Sequence, residues 1–169
     1  RVESMSLPVC LVTGVGPDTG TGAEIARRFA SGGYRVAMLA RDAARLSVLE
    51  KSIPGSRAFP CDVSNLDLLV STIDQVSFEM GAPQVVVHNA LRSVRGSFLE
   101  LDPADLEKNF RVNTTALAYL ARATIPAMLK AGHGAIMVTG NTAATRGKAH
   151  WGYFASTKAA QRILAESIA

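Results

Sequence analysis

Cysteine is nearly missing from this chain, with two in 169 residues. Cys10 and Cys61 stand apart, with no CxxC pair and no metal-ligand spacing. That argues against a disulfide framework and a metal site, and it fits buried free thiols, each on a strand, in a reducing cytoplasmic setting. Long apolar runs are missing too. None approaches the roughly 20 residues of a membrane-spanning helix, and no secretory leader stands at the start, so no membrane partner is expected. Arg1–Ser4, ahead of Met5, reads as an expression remnant. Charge is never gathered into blocks. Eighteen basic and 14 acidic residues leave a net charge of +4. The basic residues are dispersed, which suits a solvated surface or a bound phosphate and not a nucleic-acid partner. Linkers, internal repeats and low-complexity stretches are also lacking, so the whole chain, 1–169, reads as one domain.

What is present is alternation. Hydrophobic residues make up 48% and charged residues 19%, the balance of a folded α/β protein. Pro8–Gly14 reads as a buried strand. A helix from Gly22 follows, with Ile25, Ala26, Phe29 and Ala30 on one face and Gly32-Gly33 at its end. Arg35–Arg41 is a second strand, and Asp42 caps a helix that stops at Pro54. Ser56–Val63 is a third strand, placed at an edge by Pro60. Ser64 is expected to cap a helix with its stripe at Leu66, Leu69, Val70 and Ile73. Pro83–Ala90 is a β-branched fourth strand. Asp102-Pro103 opens a long helix running toward Lys130, with a bend expected near Pro126. Gly134–Gly140 is a fifth strand, and a last helix starts near Trp151 and is still running at Ala169. A complete domain rarely stops inside a helix, so part of the protein is expected beyond residue 169. Strands alternating with helices imply parallel pairing and right-handed crossovers: a three-layer αβα, doubly wound sheet of the Rossmann type.

The first strand–helix junction reads "TGVGPDTGTG", Thr13–Gly22. Glycine permits close backbone approach there, and the helix start aims free N–H groups at an anion. Gly14, Gly16, Gly20 and Gly22 are candidate phosphate contacts, with Thr19 and Thr21 as hydroxyl donors. Asp18 must point away from any phosphate. At the end of the second strand a carboxylate would grip a ribose 2′-hydroxyl, whereas a cation suits a 2′-phosphate. Arg41 stands there, which favours NADP(H) over NAD(H).

In these motifs the chain resembles the short-chain dehydrogenase/reductase family, over the stretch from its first strand to its last residue. The family's fingerprint is T-G-x-x-x-G-x-G; here Val15–Thr19 separate Gly14 from Gly20, two residues more than usual. The resemblance implies a sheet order of 3-2-1-4-5 and places Asp62 and Val63 beside the adenine. It sets Asn89 and Ala90 of "HNAL" at the turn after strand four, where the family has N-N-A-G. Asn113 falls where the family keeps an asparagine that holds a water in its proton relay. The resemblance also implies a homo-oligomer built on the two long helices, and a small carbonyl or alcohol substrate. His88, a departure from the family pattern, reads as a structural histidine.

The family's catalytic helix carries Y-x-x-x-K. Here the letters run "HWGYFASTKAA", and Tyr153 precedes Lys158 by five residues, Phe154 by four. Each helical residue turns by about 100°, so residues four apart stack and residues five apart lie about 140° out of line. Phe154 therefore shares a face with Lys158, and Tyr153 reaches that face only through a helix irregularity. The family's serine stands thirteen residues before its tyrosine; counting back from Phe154 gives Asn141. The candidate catalytic set is then Asn113, Asn141 and Lys158, with Tyr153 conditional on a bulge, and Lys158 doubling as a ribose contact. Phenylalanine has no proton to give, and loss of a positioned acid–base group costs about 10²–10⁴ in rate. Asn141 keeps the capacity to polarise a carbonyl. Three readings stay open. The first is an oxidoreductase using another acid, such as Tyr153, His150 or water. The second is a catalytically weakened dinucleotide binder acting as sensor or assembly subunit. The third is an enzyme needing only cofactor and polarisation.

Overall fold

The computed structural model describes residues 7–169; Arg1–Ser4 lie outside them. Five parallel strands form one sheet: β1 (Val9–Thr13), β2 (Arg35–Ala40), β3 (Ser56–Pro60), β4 (Val85–His88) and β5 (Ala135–Val138). Their order is β3-β2-β1-β4-β5, the expected one. β1 takes the centre because it can be buried on both faces, and all five of its residues are buried. It pairs with β2 from Val9–Arg35 to Thr13–Leu39 and with β4 from Cys10–Val85 to Thr13–His88. The chain crosses from one flank of β1 to the other between β3 and β4. That reversal opens a crevice at the carboxyl ends of β1 and β4.

Side chains alternate across the sheet and build two apolar layers. Val9, Leu11, Ala37, Leu39 and Val86 pack under α3 (Leu66–Met80) and α5 (Ala116–Ala131), through Leu69, Ile73, Val76, Ala116 and Leu120. Cys10, Val12, Val36, Met38 and Val87 pack under α1 (Thr21–Ser31) and α2 (Ala43–Ser52), through Ala23, Ala26, Leu46 and Leu49. β3 is an edge strand, as Pro60 requires, but it stops at Pro60. Asp62 and Val63 therefore lie on the loop beyond it, and so does Cys61. Both cysteines are free and buried, and burial pushes the Cys10 thiol up to about 12.

Two local expectations are corrected. The cap of α3 is Asn65, whose side chain accepts from the Leu68 N–H, and Ser64 instead donates its hydroxyl to Asp62. The long helix after Asp102 is not uniform. α4 (Pro103–Phe110) passes into one π-helical turn, Arg111–Thr115, before α5 runs on through Pro126. The wider turn inserts an extra residue per loop of backbone and sets Val112 and Asn113 inward, both buried. α6 (Gly152–Ile168) closes the described chain.

One buried polar link spans the layers. His88 is 1% exposed; its Nε2 lies 2.9 Å from the Val112 carbonyl and its Nδ1 2.9 Å from the Thr13 hydroxyl. A carbonyl only accepts, so Nε2 carries the proton and Nδ1 accepts from Thr13. Burial, opposed in part by the Val112 carbonyl, lowers the His88 pKa from 6.5 to about 4. The folded ring stays neutral where the unfolded one is already protonated, so stability is lost as pH falls from 6.5 toward 4. The loss amounts to about 3 kcal/mol at most. Urea unfolding at successive pH values is expected to show this slope, and His88→Asn is expected to flatten it over the same window.

Candidate functional site

A cleft of about 1100 Å³ lies over the carboxyl ends of β1, β2 and β4. Its floor exists because backbones cross closely. Gly14 has φ of +72°, and a Cβ there would sit 2.5 Å from both Cα and N of Ala90. At Gly22 a Cβ would meet the Gly14 carbonyl at 2.4 Å and Val15 Cα at 2.9 Å. Only hydrogen fits at either point. Gly16 differs: it lines the cleft, and a Cβ there would touch no protein atom within 4 Å. The space above Gly16 is therefore open to a ligand. Helix α1 starts at this mouth, and its N-cap, Gly20, supplies no side-chain acceptor. The first-turn N–H groups are left to an anion.

The two extra loop residues form an outward apex. A turn from the Gly20 N–H to the Pro17 carbonyl, 2.8 Å, projects Asp18 and Thr19 into solvent. Asp18 pairs with Arg27, so its charge is directed off the cleft. Thr19 goes with it and does not line the cleft, whereas Thr21 does.

At the far end the cleft is walled by Arg41, Asp42, Arg45, Asp62 and Val63. Asp42 caps α2 through the Arg45 N–H at 3.0 Å and pairs with the Arg45 guanidinium at 3.2 Å. Its carboxylate is thus committed within its own helix. Asp62 accepts from both the N–H and the hydroxyl of Ser64, at 2.9 and 2.7 Å, through one oxygen. Arg111 reaches the Ser64 carbonyl at 2.5 Å and brings another cation to this wall.

At the near end, Asn89 donates to the Gly14 carbonyl at 3.0 Å and accepts from the Thr139 hydroxyl at 2.8 Å. It clamps β1 to β5 across β4. Asn89, Ala90 and Leu91 all line the cleft. Asn113 does not; it is fully buried. Its carboxamide accepts from the Arg92 N–H (2.8 Å) and donates to the Arg92 carbonyl (2.8 Å) and the Thr157 hydroxyl (2.9 Å). Arg92 is further tied to Asp105 and Asn109, and its guanidinium holds the Asp105 carboxyl below the usual range. Lys158 is 3% exposed and stands behind the wall, donating to the Thr139 carbonyl at 2.7 Å. Burial lowers its pKa.

The aromatic pair separates as helical phase requires. α6 is regular from Gly152. The Tyr153 hydroxyl lies 3.5 Å from the Leu101 carbonyl, and its ring packs edge-on against Phe98. It turns away from Lys158. Phe154 instead lines a smaller hollow of about 210 Å³ with Asn141, Trp151, Arg146 and Lys148. Asn141 Oδ1 is occupied by the Ala143 N–H at 2.8 Å, capping a single 3₁₀ turn, Thr142–Thr145. Its amide NH₂ is the end that remains for a ligand. His150, on the loop before α6, has φ of 65°.

The structure therefore gathers Gly14, Gly16, Gly20, Thr21, Gly22, Arg41, Asp62, Val63, Asn89 and Ala90 around one cleft, with Asn113 and Lys158 behind it and Asn141 beside it. Arg45, Arg92 and Thr139 were missed. Arg45 had a signal, since it falls in the first turn of the helix that Asp42 caps. The other two are fixed by tertiary contacts alone.

The family profile described as "short chain dehydrogenase" matches residues 8–169. A short chain dehydrogenase of Pseudocercospora fijiensis is 33% identical over 161 residues, 91% of this chain and 52% of that one. A D-threitol dehydrogenase of Mycolicibacterium smegmatis is 31% identical over 141 residues, 81% of this chain and 54% of its own length. This chain thus spans about half the length of the curated relatives it matches. Among solved structures, a short-chain dehydrogenase from Streptomyces avermitilis superposes with a TM-score of 0.91 at 29% identity, over 98% of this chain and 61% of that one. A metagenomic short-chain oxidoreductase in complex with NADP gives 0.89 at 30% identity, over 96% and 75%.

The glycine contacts separate two variants. Gly22→Ala is expected to lower the unfolding free energy by about 1–3 kcal/mol through backbone overlap. Gly16→Ala is expected to stay within about 0.5 kcal/mol of the parent. Thermal or urea unfolding of both checks this.

Proposed function

The chain belongs to the short-chain dehydrogenase family, and on that premise we propose that it binds NADP(H) in this cleft as a dehydrogenase/reductase-like oxidoreductase acting on a small carbonyl or alcohol. The observation that carries the reading is the mouth of the cleft: an uncapped helix start above Gly16, where a side chain would fill the space a diphosphate needs. The preference for the 2′-phosphate rests on Arg41 and Arg45 flanking an Asp42 whose carboxylate is already engaged. The NADP held by one structural neighbour, the metagenomic short-chain oxidoreductase, supports it. When bound, the nucleotide supplies the hydride chemistry. The chain's own groups bind and orient it: first-turn amides for the diphosphate, Arg41 and Arg45 for the 2′-phosphate, Asp62 and Val63 for the adenine, Lys158 for the ribose.

Phe154 and Asn141 favour a second reading, in which the chain binds the nucleotide but transfers protons poorly. Tyr153 is diverted to Leu101, and no other phenol lines either cavity among the described residues. On both readings the setting is cytoplasmic. A homo-oligomer through α5 and α6 is also part of the proposal, supported by the exposure of Tyr119, Leu129 and Ile163 on those helices.

Fluorescence titration with NADPH and NADH tests the cofactor. NADPH is expected to bind at least tenfold more tightly, with Arg41→Ala removing most of that margin and Gly16→Ala weakening both nucleotides. Binding of neither nucleotide overturns both readings. Assays of NADPH-dependent carbonyl reduction then sort the readings. Phe154→Tyr is expected to raise the rate by about 10²-fold or more, within the range of about 10²–10⁴ for a positioned acid. Tyr153→Phe is expected to leave it unchanged. A robust parent activity abolished by Tyr153→Phe would show that Tyr153 reaches the substrate.

A further inference from the structure

Lys158 is a buried cation without a counter-ion. No carboxylate pairs with it among the described residues. Its ammonium donates to two neutral acceptors, the Thr139 carbonyl at 2.7 Å and Gln161 Oε1 at 2.5 Å. Gln161 is itself 1% exposed, and its Nε2 donates to the Asn113 carbonyl at 2.7 Å. One carboxamide thus joins the lysine on α6 to the π-helical turn. Asn113 cannot take over that duty with its side chain, which is spent on Arg92 and Thr157.

The chemistry of this bridge is selective. An ammonium has three donors, and two are satisfied by the protein, so one is left for a ligand. Thr139 lines the cleft, so the ammonium stands one hydrogen bond behind its wall. A carboxylate at position 161 would anchor the ammonium but cancel its charge. An aliphatic side chain would leave the charge and remove the anchor. Glutamine anchors without cancelling. The groups touching Lys158 from α6 and from Thr139, just past β5, are neutral, and His88, the titratable neighbour on β4, is neutral above a pH of about 4.

Resting on the NADP(H) reading, we propose that Gln161 is the positioning residue for Lys158, holding its ammonium charged and uncompensated against the near end of the cleft, where Asn89 and Thr139 stand. Gln161 also fills the gap between Lys158 and the Asn113 carbonyl with an amide. An amide does not relay protons as a water would, so the lysine acts as a fixed cationic donor and not as part of a proton path.

The test is the pH dependence of NADPH affinity between pH 7 and 10.5 in the parent, Lys158→Met, Gln161→Leu and Gln161→Glu, each checked for folding by circular dichroism. The parent is expected to lose affinity on the alkaline side as Lys158 deprotonates. Lys158→Met is expected to bind several-fold more weakly at pH 7 and to lack the break. Gln161→Leu should move the break down by one pH unit or more. Gln161→Glu should move it up while weakening binding at pH 7. Opposite movements are the signature, because a packing role would lower affinity in both without moving the break. An unchanged break in the folded Gln161 variants, or movement in one direction, overturns the proposal. NMR titration of the Lys158 ammonium in ligand-free protein must show the same order. It reads the bridge even if the parent binds no NADPH, in which case the cofactor reading alone has failed.

Discussion

The site depends on one steric fact: the carboxyl ends of β1 and β4 approach more closely than side chains permit. Gly14 lies so near Ala90 that a Cβ between them would overlap the backbone, and Gly22 is pressed onto Gly14 in turn. This contact brings the start of α1 over the strand ends, and only that placement makes its free N–H groups the floor of a cleft. The Thr13 hydroxyl completes the junction. It accepts from the Asn89 and Ala90 N–H groups, both at 3.2 Å, while donating to His88. A parallel sheet with its two inner strands locked this way has its crevice fixed in width before any ligand arrives.

Behind the crevice, polar groups are buried in chains that leave few loose ends. His88 joins β1 and β4 to the π-helical turn, Asn113 joins that turn to Arg92, and Gln161 joins it to Lys158. Each link is a neutral group with its donors and acceptors matched, which is what a low-dielectric interior demands. The π-helical turn is the common node. Its distorted ladder turns Val112 and Asn113 inward together, and their carbonyls take the His88 and Gln161 donors.

The fold was readable because its signals are local and repeated. Short apolar runs marked the strands, the first and fifth of them ending in glycine, and capping residues such as Asp42 and Asp102 marked helix starts within a residue. The Phe154–Lys158 spacing was equally legible, since helical phase follows from residue number alone. What could not be read depends on where a side chain ends in space. Ser64 and Asn65 are both good caps, and Asp62 decides between them by claiming the serine hydroxyl. Thr19 looked like a phosphate donor until the longer loop carried it outward. Nothing in "RVNTTALAYL" announces a π turn, because the extra residue is accommodated by tertiary contacts with Arg92, Thr157 and Gln161. Gln161 itself reads as an ordinary polar helix residue in one dimension.

These parts bear on how protons are handled near the cleft. A carbonyl receiving hydride must also receive a proton, so some group must change its protonation state. His88 is neutral, buried and bonded at both nitrogens. Lys158 is held by two acceptors that cannot take its proton. Asn141 can polarise an oxygen but not protonate it, and Phe154 can do neither. The groups already tied into the wall therefore serve placement and polarisation. On the proposed function, a proton for the substrate oxygen then comes from the open side, through solvent or the substrate itself, or from the one ammonium donor of Lys158 that the protein leaves free. The amides of Asn141 and Gln161 and the ring of Phe154 are the groups that set this wall apart from one built around an acid.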